Sequence, residues 1–136
     1  MNAVLWLRIS SIVSLLFAAG HTLGGRKAWS PMGETAVLAS MRTYQFTVGG
    51  VSRTYLDFYK GFGYCLSVAM VLQAIVLWQL IAIARTNPVL VRPIVGAIAA
   101  ASIANVILSG VFLFPVPVVF GAALSICLAI AFLAAK

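Results

Sequence analysis

The side chains able to do chemistry in this sequence are few, and most of them are bunched. His21 is the only histidine, Glu34 and Asp57 are the only acids, and Tyr55, Tyr59, Lys60 and Tyr64 crowd around Asp57. A carboxylate beside an imidazole fixes its tautomer and steadies its protonated form, which is what a general acid–base pair or a proton relay requires. His21, Asp57 and Tyr64 are therefore the candidate catalytic set. Tyr55, Tyr59, Lys60, Glu34, Arg53 and Asn105 are the candidate ligand contacts, supplying hydroxyl, charge and amide groups to a polar headgroup. The same residues admit a plainer assignment. Tyrosines form an interfacial belt, Lys60 and Arg53 snorkel to lipid phosphates, and His21 caps a helix end.

Other chemistries fail by inventory. One histidine and two acids do not make an ordinary transition-metal or di-iron site, and a haem held by two histidines needs a second histidine. The chain contains no GxGxxG, P-loop, GxSxG or HExxH pattern. Cys65 and Cys127 stand far apart within apolar runs, so neither a CxxC pair nor a zinc-ligand spacing exists, and both read as packing residues. Neither a metal nor a cofactor is expected.

These groups sit on an unusually apolar chain. Of 136 residues, 63% are hydrophobic and 8% charged, and the mean hydropathy is +1.12. A water-exposed surface needs about a quarter of the residues charged, so lipid is the expected solvent. The formal charge of +7 would suggest nucleic acid in a soluble protein. Here the basic residues fall in loops and at helix ends rather than in a stripe, which points to membrane topology and lipid headgroups and away from nucleic acid.

Four apolar runs, about Val4 to Leu23, Phe58 to Ala84, Val91 to Phe114 and Val116 to Ala135, each approach the ~20 residues that cross a bilayer. They lack period-2 alternation, which excludes a barrel and leaves an all-α integral membrane protein, a four-helix transmembrane bundle forming a single domain over 1–136. Asn87-Pro88 ends the second run, and Pro115 with Pro117 separates the third from the fourth. The first run could pass for a signal peptide, but Arg8 lies inside it rather than ahead of it, so it reads as a retained helix.

The one long connection, 24–57, carries most of the charge. Ser30-Pro31 resembles an N-cap and first helical position, Glu34 favours the positive end of the helix dipole, and Val37, Met41 and Tyr44 recur at helical spacing. The spacing predicts a short amphipathic helix over Pro31 to Gln45 lying along the interface, ended by Gly49-Gly50. Four crossings put both termini on one side. Arg85 and Arg92 flank the shortest polar loop, which tilts the termini to the cytoplasm.

Every span has a polar or small stripe: Ser10, Ser14, Phe17 and His21 in the first; Asp57, Lys60, Gly61, Tyr64 and Ser67 in the second; Ser102, Asn105 and Ser109 in the third; Gly121 and Ser125 in the fourth. Serines and glycines of this kind allow close helix approach, whereas an amide such as Asn105 within a span is costly without a partner.

The segments Gly20-His-Thr-Leu-Gly24 and Asp57-Phe-Tyr-Lys-Gly-Phe-Gly63 resemble motifs of a family of small, uncharacterised four-span bacterial membrane proteins. The likeness covers the first half of the chain by motif and the rest by hydropathy. With an early Arg and a Gly-His at the end of helix one, the layout also resembles the DoxX-like group, some members of which are tied to quinone or thiol redox chemistry. The resemblance implies a fold, a candidate site and a bacterial inner-membrane location. This chain lacks the paired loop cysteines that the redox chemistry would use.

Three functions follow as expectations. The first is binding of, or action on, an amphiphilic small molecule such as a quinone, isoprenoid or sterol-like lipid, at a His21/Asp57/Tyr site near one membrane face. The second is a non-catalytic subunit, assembly protein or homo-oligomer, docked through the small-residue patterns of Gly96 to Ala100 and Gly121 to Ser125. The third is an oligomeric transporter of a small solute or protons, with Ser14, His21, Asn105 and Ser109 marking its path.

Overall fold

The computed structural model describes residues 2–26 and 32–136. The elements in chain order are α1 (Ala3–Arg26), α2 (Ala36–Thr43), the strands β1 (Gln45–Val48) and β2 (Val51–Thr54), α3 (Tyr55–Thr86), α4 (Arg92–Phe112) and α5 (Pro115–Ala134), with a single 3-10 turn, Pro88–Val91, ahead of α4. Helices α1, α3, α4 and α5 are long and apolar enough to cross a membrane, so the protein is an all-α integral membrane protein with a short helix between spans one and two. Their boundaries follow local chemistry. Asn87-Pro88 stops α3, and Pro93, Pro115 and Pro117 all fall in first turns, where a missing N–H breaks no helical bond.

The chain forms two compact units, Met1–Phe17 with Met70–Lys136, and Ala18–Ala69. The first is the helix bundle. Leu7 of α1, Leu77 of α3, Val91 and Val95 around the start of α4, and Leu128 of α5 are all fully buried within one apolar cluster. Hydroxyls lace α1 to α3: Ser11 Oγ donates to the Ala74 carbonyl at 2.8 Å and Ser14 Oγ to that of Met70 at 3.0 Å, while Gln73 Nε2 donates to Ser14 Oγ at 3.3 Å. Phe17 stacks on Phe120 with ring centroids 5.2 Å apart, and the Arg92 guanidinium lies 4.7 Å from the Phe132 ring centre. Helices α4 and α5 meet through their glycines. A Cβ at Gly121 would come within 2.8 Å of Val106 Cγ2, and one at Gly96 within 3.2 Å of the Phe132 ring. Gly96 and Gly121, which open the two small-residue patterns, thus face side chains of this same chain.

The second unit holds the end of α1, the polar connection and the start of α3. Its short helix differs from the expected one. The cap is Thr35, whose Oγ1 accepts from the Leu38 N–H at 3.2 Å, and Ser30 and Pro31 lie outside the described residues. The helix stops at Thr43, because Tyr44 is already extended and Gln45 begins β1. Gly49 and Gly50 both take positive φ, 58° and 79°, as a two-residue type I′ hairpin turn requires. They join β1 to β2 rather than merely ending a helix.

Candidate functional site

Helix α3 begins with a reciprocal cap. The Thr54 N–H donates to Asp57 Oδ2 at 3.1 Å and the Asp57 N–H donates to Thr54 Oγ1 at 3.1 Å. This capping-box arrangement satisfies donors that the first turn leaves without helical partners. Asp57 thus caps the start of the helix, and it is solvent-exposed.

His21 meets α3 at a different level. Its Nδ1 lies 2.9 Å from Ser67 Oγ, ten residues or about 15 Å along the helix from Asp57. Thr22 Oγ1 donates to the same Ser67 oxygen at 2.9 Å and to the Ala18 carbonyl at 2.7 Å. Ser67 Oγ donates to the Gly63 carbonyl at 3.2 Å. Ser67 is buried and His21 half-buried. Gly63 faces the ring closely enough that a Cβ there would stand 3.7 Å from His21 Cε1.

Ser67 and Thr22 each have a single hydroxyl proton and more than one acceptor within reach, so the donor and acceptor roles of His21 Nδ1 and Ser67 Oγ follow the tautomer of the ring. In either tautomer Nε2 has no hydrogen-bond partner among the described residues.

The other expected residues are distributed more widely. Glu34 forms an exposed ion pair with Arg42 at 3.3 Å, worth little in water. Arg53 Nη1 donates to the Ser52 carbonyl at 2.8 Å. Tyr55, Tyr59 and Tyr64 are exposed along the first turns of α3, and Lys60 is half-buried between them. Tyr55 and Tyr44 also border a shallow apolar groove over α2, with Val37 and Met41. Asn105 is exposed on α4 without a hydrogen-bond partner among the described residues, whereas Ser14, expected on the same path, is bonded to α3. No group of three metal-ligating side chains occurs among the described residues.

The structure thus separates His21 from Asp57 in hydrogen bonding and joins His21 to Thr22 and Ser67 instead. Ser67 was visible in sequence as part of the polar stripe on the second span. Thr22 carried one signal, its position beside an imidazole within an apolar helix.

Comparisons with protein-family models, curated proteins and solved structures gave no match to this chain.

Proposed function

We propose that this multi-pass membrane protein binds an amphiphilic small molecule, a quinone, isoprenoid or sterol-like lipid, whose polar head is met by His21. One observation carries the reading: an imidazole within a membrane span is held through Nδ1 by Ser67 while Nε2 has no partner among the described residues. An ionisable side chain in a span is costly and marks function by default. With the proton on Nδ1, Nε2 would accept from a ligand hydroxyl; in the other tautomer, or protonated, it would donate to a ligand carbonyl. The exposed tyrosines of α3 and Lys60 supply further contacts toward the membrane face. The motif resemblance supports a DoxX-like relationship and a bacterial inner membrane. Arg85 and Arg92, beside the short loop, support cytoplasmic termini.

The test is mass spectrometry of lipids and quinones that copurify with the protein. His21→Ala should lose the specific ligand by about tenfold, equivalent to about 1.4 kcal/mol, whereas Asp57→Asn should retain it because that carboxylate serves the helix cap. Unchanged ligand content in folded His21→Ala would refute the proposal.

Asn105 favours a second reading, association with another membrane helix. An amide facing hydrocarbon without a partner is satisfied by pairing across helices. Crosslinked dimers that vanish in Asn105→Leu would support it, and monomers in both proteins would remove it.

A further inference from the structure

The 45–54 hairpin has two chemically opposite faces. Directly paired residues of an antiparallel ladder share a face, and the register pairs Phe46 with Arg53, Val48 with Val51, Gln45 with Thr54 and Thr47 with Ser52. One face is therefore Phe46, Val48, Val51 and Arg53. The other is Gln45, Thr47, Ser52 and Thr54, wholly polar and joined across the strands by a 2.8 Å hydrogen bond between Thr47 Oγ1 and Ser52 Oγ. The apolar face is left open at its tip, with Val48 71% and Val51 49% exposed. Isolated two-stranded hairpins are marginal in water, and these valines gain nothing from standing in it.

Aromatic contacts tie that face to the spanning helix. Phe46 lies 5.1 Å from Tyr55 and 5.6 Å from Phe58, and Phe58 meets Phe62 edge-on at 4.9 Å, all as ring-centroid distances. Tyr55, Phe58, Tyr59, Phe62 and Tyr64 are all exposed on the first turns of α3. Such clustering of aromatic side chains at the end of a span is the signature of the membrane–water interface. Helix α3 has 32 residues, about 48 Å of rise against a hydrocarbon core of about 30 Å, so its ends reach the headgroup region or the helix tilts. The ladder of rings runs from this belt onto the hairpin without a break. Arg53, beside Phe46 on the same face, has the charge for a lipid phosphate, and its one hydrogen bond among the described residues runs from Nη1 to the Ser52 carbonyl.

We infer that the hairpin is a membrane-interface anchor, its Phe46/Val48/Val51 face seated at the headgroup–acyl boundary of the bilayer that α3 crosses, its Thr47/Ser52 face in water. The occupant of this face is lipid, because the surface continues the exposed aromatic belt of a spanning helix and carries a cation, Arg53, beside Phe46. The anchor is independent of the His21 ligand.

Spin labels read the two faces directly. Val48→Cys, Val51→Cys, Thr47→Cys and Ser52→Cys, each in a Cys65→Ala, Cys127→Ala background, are labelled and reconstituted in phosphatidylethanolamine–phosphatidylglycerol vesicles. Accessibility to oxygen, which concentrates in lipid, is compared with accessibility to a water-soluble nickel chelate. Positions 48 and 51 should give oxygen-to-nickel ratios severalfold above those at 47 and 52. Should one label disturb folding, its neighbour on the same face gives the same measurement. Equal ratios on both faces would place the hairpin in water and overturn the inference. Protection of 48 and 51 from both reagents would overturn it too, by showing that protein covers them.

Discussion

The two compact units use polar groups in different ways. In the bundle unit, hydroxyls of Ser11 and Ser14 reach backbone carbonyls of a neighbouring helix, so each contact depends on little besides close approach. In the unit of Ala18–Ala69, side chains meet side chains: His21 and Thr22 converge on Ser67, and Thr47 pairs with Ser52. Lipid tails are as apolar as leucine, so apolar burial alone selects few partners in a membrane. Close approach at Gly96 and Gly121 constrains the bundle, and the other unit adds hydrogen bonds between side chains.

The sharpest way to break that contrast is through shape. Gly121→Leu should destabilise the bundle by about 1–3 kcal/mol, the usual cost of overpacking, because Val106 is branched and already close. Gly110→Ala, where a Cβ would meet nothing within 4 Å, should be neutral. Unfolding in mixed micelles measures both, and equal stabilities would show that the bundle is not shape-limited.

A smaller effect is expected at the α3 cap. Thr54→Ala should cost about 1 kcal/mol and show as faster amide exchange over residues 55–57, with the bundle unit unchanged. Exchange that rises equally in both units would erase the distinction between them.

The smallest effect compares two serines of α1. Ser11→Ala removes an interhelical hydrogen bond and should cost about 0.6 kcal/mol. Ser10→Ala removes a buried hydroxyl that has no partner among the described residues and should be neutral or slightly stabilising. The same unfolding assay separates them, and a larger loss at Ser10 than at Ser11 would mean that the Ser10 hydroxyl has a role in packing.

Much of the architecture was readable in advance. Run length and composition gave four spanning helices, since lipid leaves the backbone no other way to satisfy its hydrogen bonds, and Pro88, Pro115 and Pro117 marked the breaks. The hairpin was legible but eclipsed. Gln45 to Val48 and Val51 to Thr54 flank a Gly-Gly pair, a standard hairpin signal, but the helical spacing of Val37, Met41 and Tyr44 runs up to the same segment and competes with it. The cap, Thr35, lies five residues past the Ser30 that the sequence pattern favours.

The amino-acid sequence by itself determined the solvent, the number of crossings and which few side chains were chemically interesting, because these depend on composition and local periodicity. Tertiary structure decided their partners. Helical periodicity gives the side of a helix on which a residue lies but not the level at which a neighbouring helix meets it. His21 therefore engages Ser67 instead of Asp57, and Gly96 and Gly121 are occupied within the chain. Contact depends on how far one helix slides along another, and that offset is settled only when all the side chains pack together.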